Sequence, residues 1–264
     1  MKQFIVIGAV LAASSSALAA DLAPMATKAP APASLPHYSW SGCFIGAQAG
    51  TGHQHNSLAD PTGTTFAPVG TSVTGAASNG LVGGQAGCDY QVMSNWVIGG
   101  AVEWSAADFN TASNATISDP LFSGKNVTSF GTMATRTTSL GSVTGRLGYA
   151  FLDRLLVYGR GGVGFSQDRY GIAFAAASNL PFFSTPGANY TASATRVGWT
   201  AGAGVEWALF DNWSAGVEYD HYGFGSRTVT LTDSIAGGTT PIAVKEDVDV
   251  VKVSLNYRFR LYGP

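Results

Sequence analysis

The sequence predicts an all-β chain: an eight-stranded antiparallel transmembrane β-barrel with short periplasmic turns and long extracellular loops. Three observations carry this. Apolar and polar residues alternate with period two in eight segments, as in Ser142-Val-Thr-Gly-Arg-Leu-Gly-Tyr149, where Val143, Leu147 and Tyr149 share one face and Ser142, Thr144 and Arg146 the other. The connections between segments are alternately very short and very long. Charged residues make up only 11% of the 264-residue chain, against about 25% in ordinary globular proteins. A water-soluble sandwich would turn its oily faces inward and carry charge outside, and there is too little charge here to cover one.

The strands are expected near 40–52, 80–91, 96–107, 139–151, 155–167, 196–209, 213–224 and 248–259. Three tight turns fall at 92–95, 152–154 and 210–212, and four long connections at 53–79, 108–138, 168–195 and 225–247. Their alternation places both termini on the periplasmic side. Charge sets the register. The outward sets are Trp96, Ile98, Val102 and Trp104; Leu155, Val157, Val163 and Phe165; Val197, Trp199, Val205 and Trp207; and Val251, Val253, Leu255, Tyr257 and Phe259. A slip of one residue would put the inward charges into lipid, where each Arg or Lys at the midplane costs about 2–4 kcal/mol. Tyr90, Trp96, Tyr149, Trp207, Trp213 and Tyr257 gather near the periplasmic strand ends, and Trp104, Phe165 and Trp199 nearer the other, as two interfacial aromatic girdles.

Residues 1–19 read as a signal peptide, with an apolar run from Phe4 to Ala13 and an Ala17-Leu-Ala19 cleavage site. That run is shorter than the roughly 20 residues a helical span needs. Residues 20–37, rich in Pro and Ala, read as a periplasmic linker. Residues 38–259 form the barrel domain and 260–264 a C-terminal tail. A formal net charge of -2 without any Lys/Arg run excludes a nucleic-acid partner.

The inward charges are Glu103, Glu206, Glu218 and Asp220 with Arg146, Arg160, Lys252 and Arg258, joined by Gln48, Gln85, Asp89 and Asn256. An eight-stranded barrel is only wide enough for its own side chains, and buried charges must be paired. These residues therefore predict a closed, polar-filled lumen.

Six segments are similar to an alphaproteobacterial family of small outer-membrane barrels, which includes porin-family and immunogenic surface proteins. They are Trp40-Ser-Gly-Cys-Phe-Ile-Gly-Ala-Gln-Ala-Gly50; Gly83-Gly-Gln-Ala-Gly87; Gly145-Arg-Leu-Gly-Tyr-Ala-Phe151 with Leu155-Leu-Val-Tyr158; Gly198-Trp-Thr-Ala-Gly-Ala-Gly-Val-Glu206; Asn212-Trp-Ser214 with Val217-Glu-Tyr219; and Leu255-Asn-Tyr-Arg-Phe259. The resemblance implies a structural outer-membrane protein with antigenic loops, and some relatives bind hemin. The chain departs from the family in the residues after Tyr257-Arg-Phe259 and in having cysteines where the family usually has aromatics.

Cys43 and Cys88 fall near the periplasmic ends of neighbouring strands with the same outward parity. A cross-strand bridge and two separate lipid-facing thiols are both open readings. His53-Gln-His55 begins the first expected surface loop. Two histidines without an acid or cysteine cluster read as ordinary loop residues, so no metal, cofactor or catalytic residue is assigned. Asp220 and His221 point to opposite faces and form no acid–base pair. Gly159-Arg-Gly-Gly-Val-Gly164 matches G-x-G-x-x-G but lies within a strand, where the fingerprint has no helix to serve. The expected partners are outer-membrane lipid and lipopolysaccharide, periplasmic chaperones and the barrel-assembly machinery, with the chain monomeric. A narrow porin for small solutes, and a hemin or adhesion receptor acting through the loops, are the alternative functions.

Overall fold

A computed structural model describes residues 38–61, 72–93, 95–119, 127–174, 188–234 and 238–259. The signal peptide and linker readings (1–19 and 20–37) and the tail (260–264) lie outside the described residues. Eight antiparallel strands run β1 Gly42–Ala59, β2 Ser72–Val92, β3 Trp96–Asp119, β4 Val127–Phe151, β5 Leu155–Phe174, β6 Ala188–Ala208, β7 Trp213–Asp233 and β8 Thr239–Phe259. Each pairs with its sequence neighbours, and β1 pairs with β8, so the sheet closes on itself.

The tight turns fall where the pattern put them. Leu152 and Asp153 take left-handed backbone angles (φ 48° and 61°) to reverse the chain between β4 and β5, and Met93 (φ 48°) does so after β2. The outward sets are also in place: Trp96, Val102, Trp104, Val157, Phe165, Trp199, Val205, Val253 and Leu255 are all exposed on the barrel wall. At the turn end, edge-to-face ring pairs link Trp96 with Tyr149 (5.4 Å) and Trp213 with Tyr257 (5.2 Å).

Four expected connections are corrected. Most of 53–79, 108–138, 168–195 and 225–247 is strand, so the barrel extends well past its lipid-facing band. The reason is a second core. Inward-facing Leu58, Met133, Tyr170, Ile172, Val229, Leu231, Ile242 and Val244 form one buried apolar cluster in this outer section, which holds the strands together in water as it would in a soluble barrel. His53 and His55 are therefore strand residues on the outer face of β1, their rings edge to face at 4.4 Å, and do not open a loop.

The β6–β7 ladder is interrupted between Thr191 and Trp199. Arg196 spans this seam, donating to the carbonyls of Gly225 (2.7 Å) and Val244 (2.9 Å) and pairing with Glu246 (3.3 Å). Gly225 adopts a positive φ of 63° beside the bulge in β7.

At the turn end the chain before β1 folds under the barrel. Trp40 is completely buried, its indole N–H donating to the Asp153 carbonyl (3.1 Å), and with Tyr38, Val97, Ala150, Leu156, Tyr158 and Ala208 it makes an apolar floor. The first strand, expected from residue 40, thus begins at Gly42, with Trp40 outside the ladder.

Candidate functional site: the barrel interior

Above the floor lies a layer of two cations and two acids, Arg146 and Arg258 with Asp89 and Glu206. Arg146 Nε donates to Asp89 Oδ1 (2.6 Å), a second Arg146 nitrogen also contacts Asp89, and Nη1 reaches Glu206 Oε2 (3.2 Å). Arg258 Nη1 donates both to Asp89 Oδ2 (2.7 Å) and to the Trp40 carbonyl (2.7 Å), tying the floor to the ions. The Arg146 guanidinium lies over the Phe44 ring at 4.6 Å and that of Arg258 over Trp40 at 5.3 Å. Ser214 and Asn256 complete the shell of Glu206 (2.5 and 3.2 Å).

The next layer holds Glu103, Glu218 and Asp220 against Arg160 and Lys252. Lys252 Nζ contacts Glu103, Glu218 Oε1 (2.9 Å) and Asp220 Oδ2 (2.9 Å). Arg160 reaches Glu103 (2.9 Å), Glu218 (2.5 Å) and Asp220 (3.3 Å). The three carboxylates are close enough together to hold a metal ion, but the Lys252 ammonium already touches all three and takes the place a cation would fill. Tyr158 and Tyr222 donate to Glu218 and Glu103 (both 2.6 Å), and Ser142 also donates to Glu103 (2.9 Å). Glycine makes room for the network: a methyl group at position 202 would overlap the Asp220 carboxylate, and one at 204 the Tyr158 ring.

All eight lumen residues named from the sequence are thus brought into two adjoining ionic layers. Sequence reasoning missed Tyr158, Tyr222 and the floor of Trp40. It also missed a third polar layer, held between two apolar ones. Below this third layer, Leu81, Phe109, Leu140, Tyr222, Phe224, Val248 and Val250 form a buried cluster; above it sits the outer core. Within it, Gln54 Nε2 donates to Glu246 (2.9 Å) and Thr137 (2.7 Å), Thr137 donates to Asp168 (2.6 Å), Ser166 also donates to Asp168 (2.8 Å), and Arg196 pairs with Glu246. These residues sit beyond the lipid-facing segments, which end outward at Phe165 on β5 and Val251 on β8. Two carboxylates share one guanidinium here. Burial, and then the Asp168 charge, push the Glu246 carboxyl up to about 8, and burial raises Asp168. The signal for this layer was the period-two pattern of Ile242, Val244 and Glu246, which continues past the lipid-facing band.

Cys43 and Cys88 are directly opposite in the β1–β2 register and joined by a disulfide. Asp220 and His221 do point to opposite faces. The acid is buried in the lumen, while His221 on the outer wall has its Nδ1 2.8 Å from Asp249 Oδ1, a partner that only the β7–β8 register reveals.

Residues 6–259 match the family model described as the outer membrane protein beta-barrel domain. The chain is 30% identical to a 31 kDa outer-membrane immunogenic protein of Brucella melitensis, over 98% of this chain and all of that one. It is 26% identical to a 25 kDa outer-membrane immunogenic protein of Brucella abortus, over 97% and 96% of the two chains. Among solved structures, the outer membrane protein OprG of Pseudomonas aeruginosa shares the fold at 12% identity with a TM-score of 0.50, covering 85% of this chain and 99% of that one. The apolar outer band, the ion-filled interior and the family match together make this an integral outer-membrane protein, and the chain belongs to the outer-membrane β-barrel family that also contains the immunogenic proteins of Brucella.

Proposed function

We propose that this barrel is a non-conducting, non-enzymatic structural element of the envelope that carries surface-exposed antigenic loops. The observation supporting this most directly is the stack across the lumen of the Trp40 floor and the two ionic layers, in which Arg146, Arg160, Lys252 and Arg258 are all buried and each touches at least two acids. A side chain held by two or three charged partners within a barrel of this width leaves no aqueous path. The immunogenic relatives support the reading of the loops as antigens. Assembly as a monomer by periplasmic chaperones and the barrel-assembly machinery belongs to the same proposal.

A strain lacking the protein should become sensitive to detergent while its uptake of small sugars is unchanged, and re-expression of the chain should restore resistance. Slowed sugar uptake in that strain, restored by the wild-type chain, would instead favour the narrow porin.

A further inference from the structure

On the outer wall, two outward positions beyond Phe165, Arg169 of β5 stands directly opposite Arg136 of β4. Like charges facing each other across a ladder repel. Asp108 takes two donors of Arg136 (2.6 and 3.1 Å), whereas no carboxylate among the described residues lies within ion-pair distance of Arg169. Beside Arg169 a cleft of about 240 Å³ opens between β4, β5 and β6, lined by Thr138, Gln167, Ser193 and Thr195. Asp168 also lines it, but its carboxylate turns into the barrel toward Thr137 and Ser166. Across the β6–β7 seam, Arg227 donates to the Thr195 carbonyl (3.3 Å) and has no acid partner among the described residues. Arg169 and a set of neutral donors and acceptors therefore line one concave patch of the outer wall, with Arg136 next to Arg169 across the β4–β5 ladder and Arg227 at the rim on Thr195.

Its height decides what fills it. The last lipid-facing side chains below the cleft are Phe165, Val197 and Trp199, all exposed. Arg169 lies four residues beyond Phe165, about 13 Å along the strand and roughly 10 Å along the membrane normal for a tilted strand. An Arg side chain bending back toward the bilayer reaches about 7 Å, most of that span, and meets the outer-leaflet headgroups. We infer that this cleft binds the phosphorylated sugar headgroup of an outer-leaflet glycolipid. Arg169 holds the phosphate with help from Arg136 and Arg227, the hydroxyl and amide groups face the sugar, and the acyl chains run down Phe165, Val197 and Trp199. The assignment rests on the outer-membrane placement and is independent of whether the lumen conducts.

The full barrel, purified in detergent and checked for folding by its shift on unboiled gels, is titrated with diphosphorylated lipid A and, separately, with the dephosphorylated form. Saturable binding of the phosphorylated form is expected. Arg169→Gln should weaken it about tenfold, the loss of one charged hydrogen bond, while Arg154→Gln at a periplasmic turn leaves it unchanged. Lipid-free Arg169→Gln should be at least as thermally stable as wild type, because a repulsive pair is removed; a less stable variant would make Arg169 a structural residue and overturn the assignment. Equal binding of both lipid forms, an unchanged affinity in Arg169→Gln, or displacement by equimolar inorganic phosphate would overturn it as well.

Discussion

Two sections of β8 face opposite demands with the same parity. Between residues 251 and 259 the lumen-facing positions are Lys252, Ser254, Asn256 and Arg258, and the wall carries Val251, Val253, Leu255, Tyr257 and Phe259. Beyond Val250 the pattern inverts: Val248, Val244 and Ile242 are buried inside, and Lys245, Asp247 and Asp249 lie on the wall. β1 turns over at the same height, from Ile45, Ala47 and Ala49 outside to Thr51, His53 and His55. One continuous sheet is thus an inside-out barrel in lipid and an ordinary one in water, and the solvent outside each section decides which face is apolar. The polarity of the two faces, rather than the strand ends, marks the edge of the bilayer.

The comparison breaks most visibly in the ionic layer. Lys252→Met removes the group that touches Glu103, Glu218 and Asp220 and leaves Arg160 alone against three buried acids. Urea unfolding in detergent should show a loss of about 3–5 kcal/mol, the cost of breaking a buried charge pair from one side. A stability within 0.5 kcal/mol of wild type would mean that the layer is open to water.

The wall gives a sharper contrast. Val253→Lys, on the lipid-facing segment, should cost about 2–4 kcal/mol, whereas Ala243→Lys, five outward positions further along the same strand, should lie within about 0.5 kcal/mol of wild type. The difference between the two maps where the solvent changes, and equal costs would place the outer section in lipid as well.

The most local expected effect is a pH dependence confined to the outer section. The Glu246 carboxyl is raised in the folded protein to about 8, so folding favours its neutral form. That contribution is complete below the unfolded value near 4.5 and is lost as pH rises toward and through 8. Hydrogen exchange of amides near residues 242–246, corrected for intrinsic rates, should report more protection at pH 6 than at pH 9. Glu246→Gln should remove the difference while leaving exchange in residues 251–259 unchanged.

In the lipid section the sequence was nearly complete as a guide, because two independent patterns agree there. Val251, Val253 and Leu255 had to face outward, and Lys252 and Arg258 could not. The outer section was legible only in part. The alternation of Ile242, Val244 and Glu246 was present, but Ser, Thr, Gly and Ala in 225–247 read equally well as a loop until Ile242 and Val244 find Val229 and Leu231 on the adjacent strand β7. Partners set by register were less visible still: His221 meets Asp249 and Arg136 meets Arg169 only once the bulges in β4 and β7 are known. Trp40 carried the pattern of a strand start, and its place in the floor depends on Asp153 and Arg258, which are distant in sequence.

The closed lumen is tested most directly by single-channel recording of the purified, folded barrel in planar bilayers. The account predicts a silent bilayer across a wide range of salt and voltage, with insertion verified by antibody or fluorescence. Stable conductance steps that scale with salt would contradict it and make Arg160, Lys252 and Glu103 the lining of a pore.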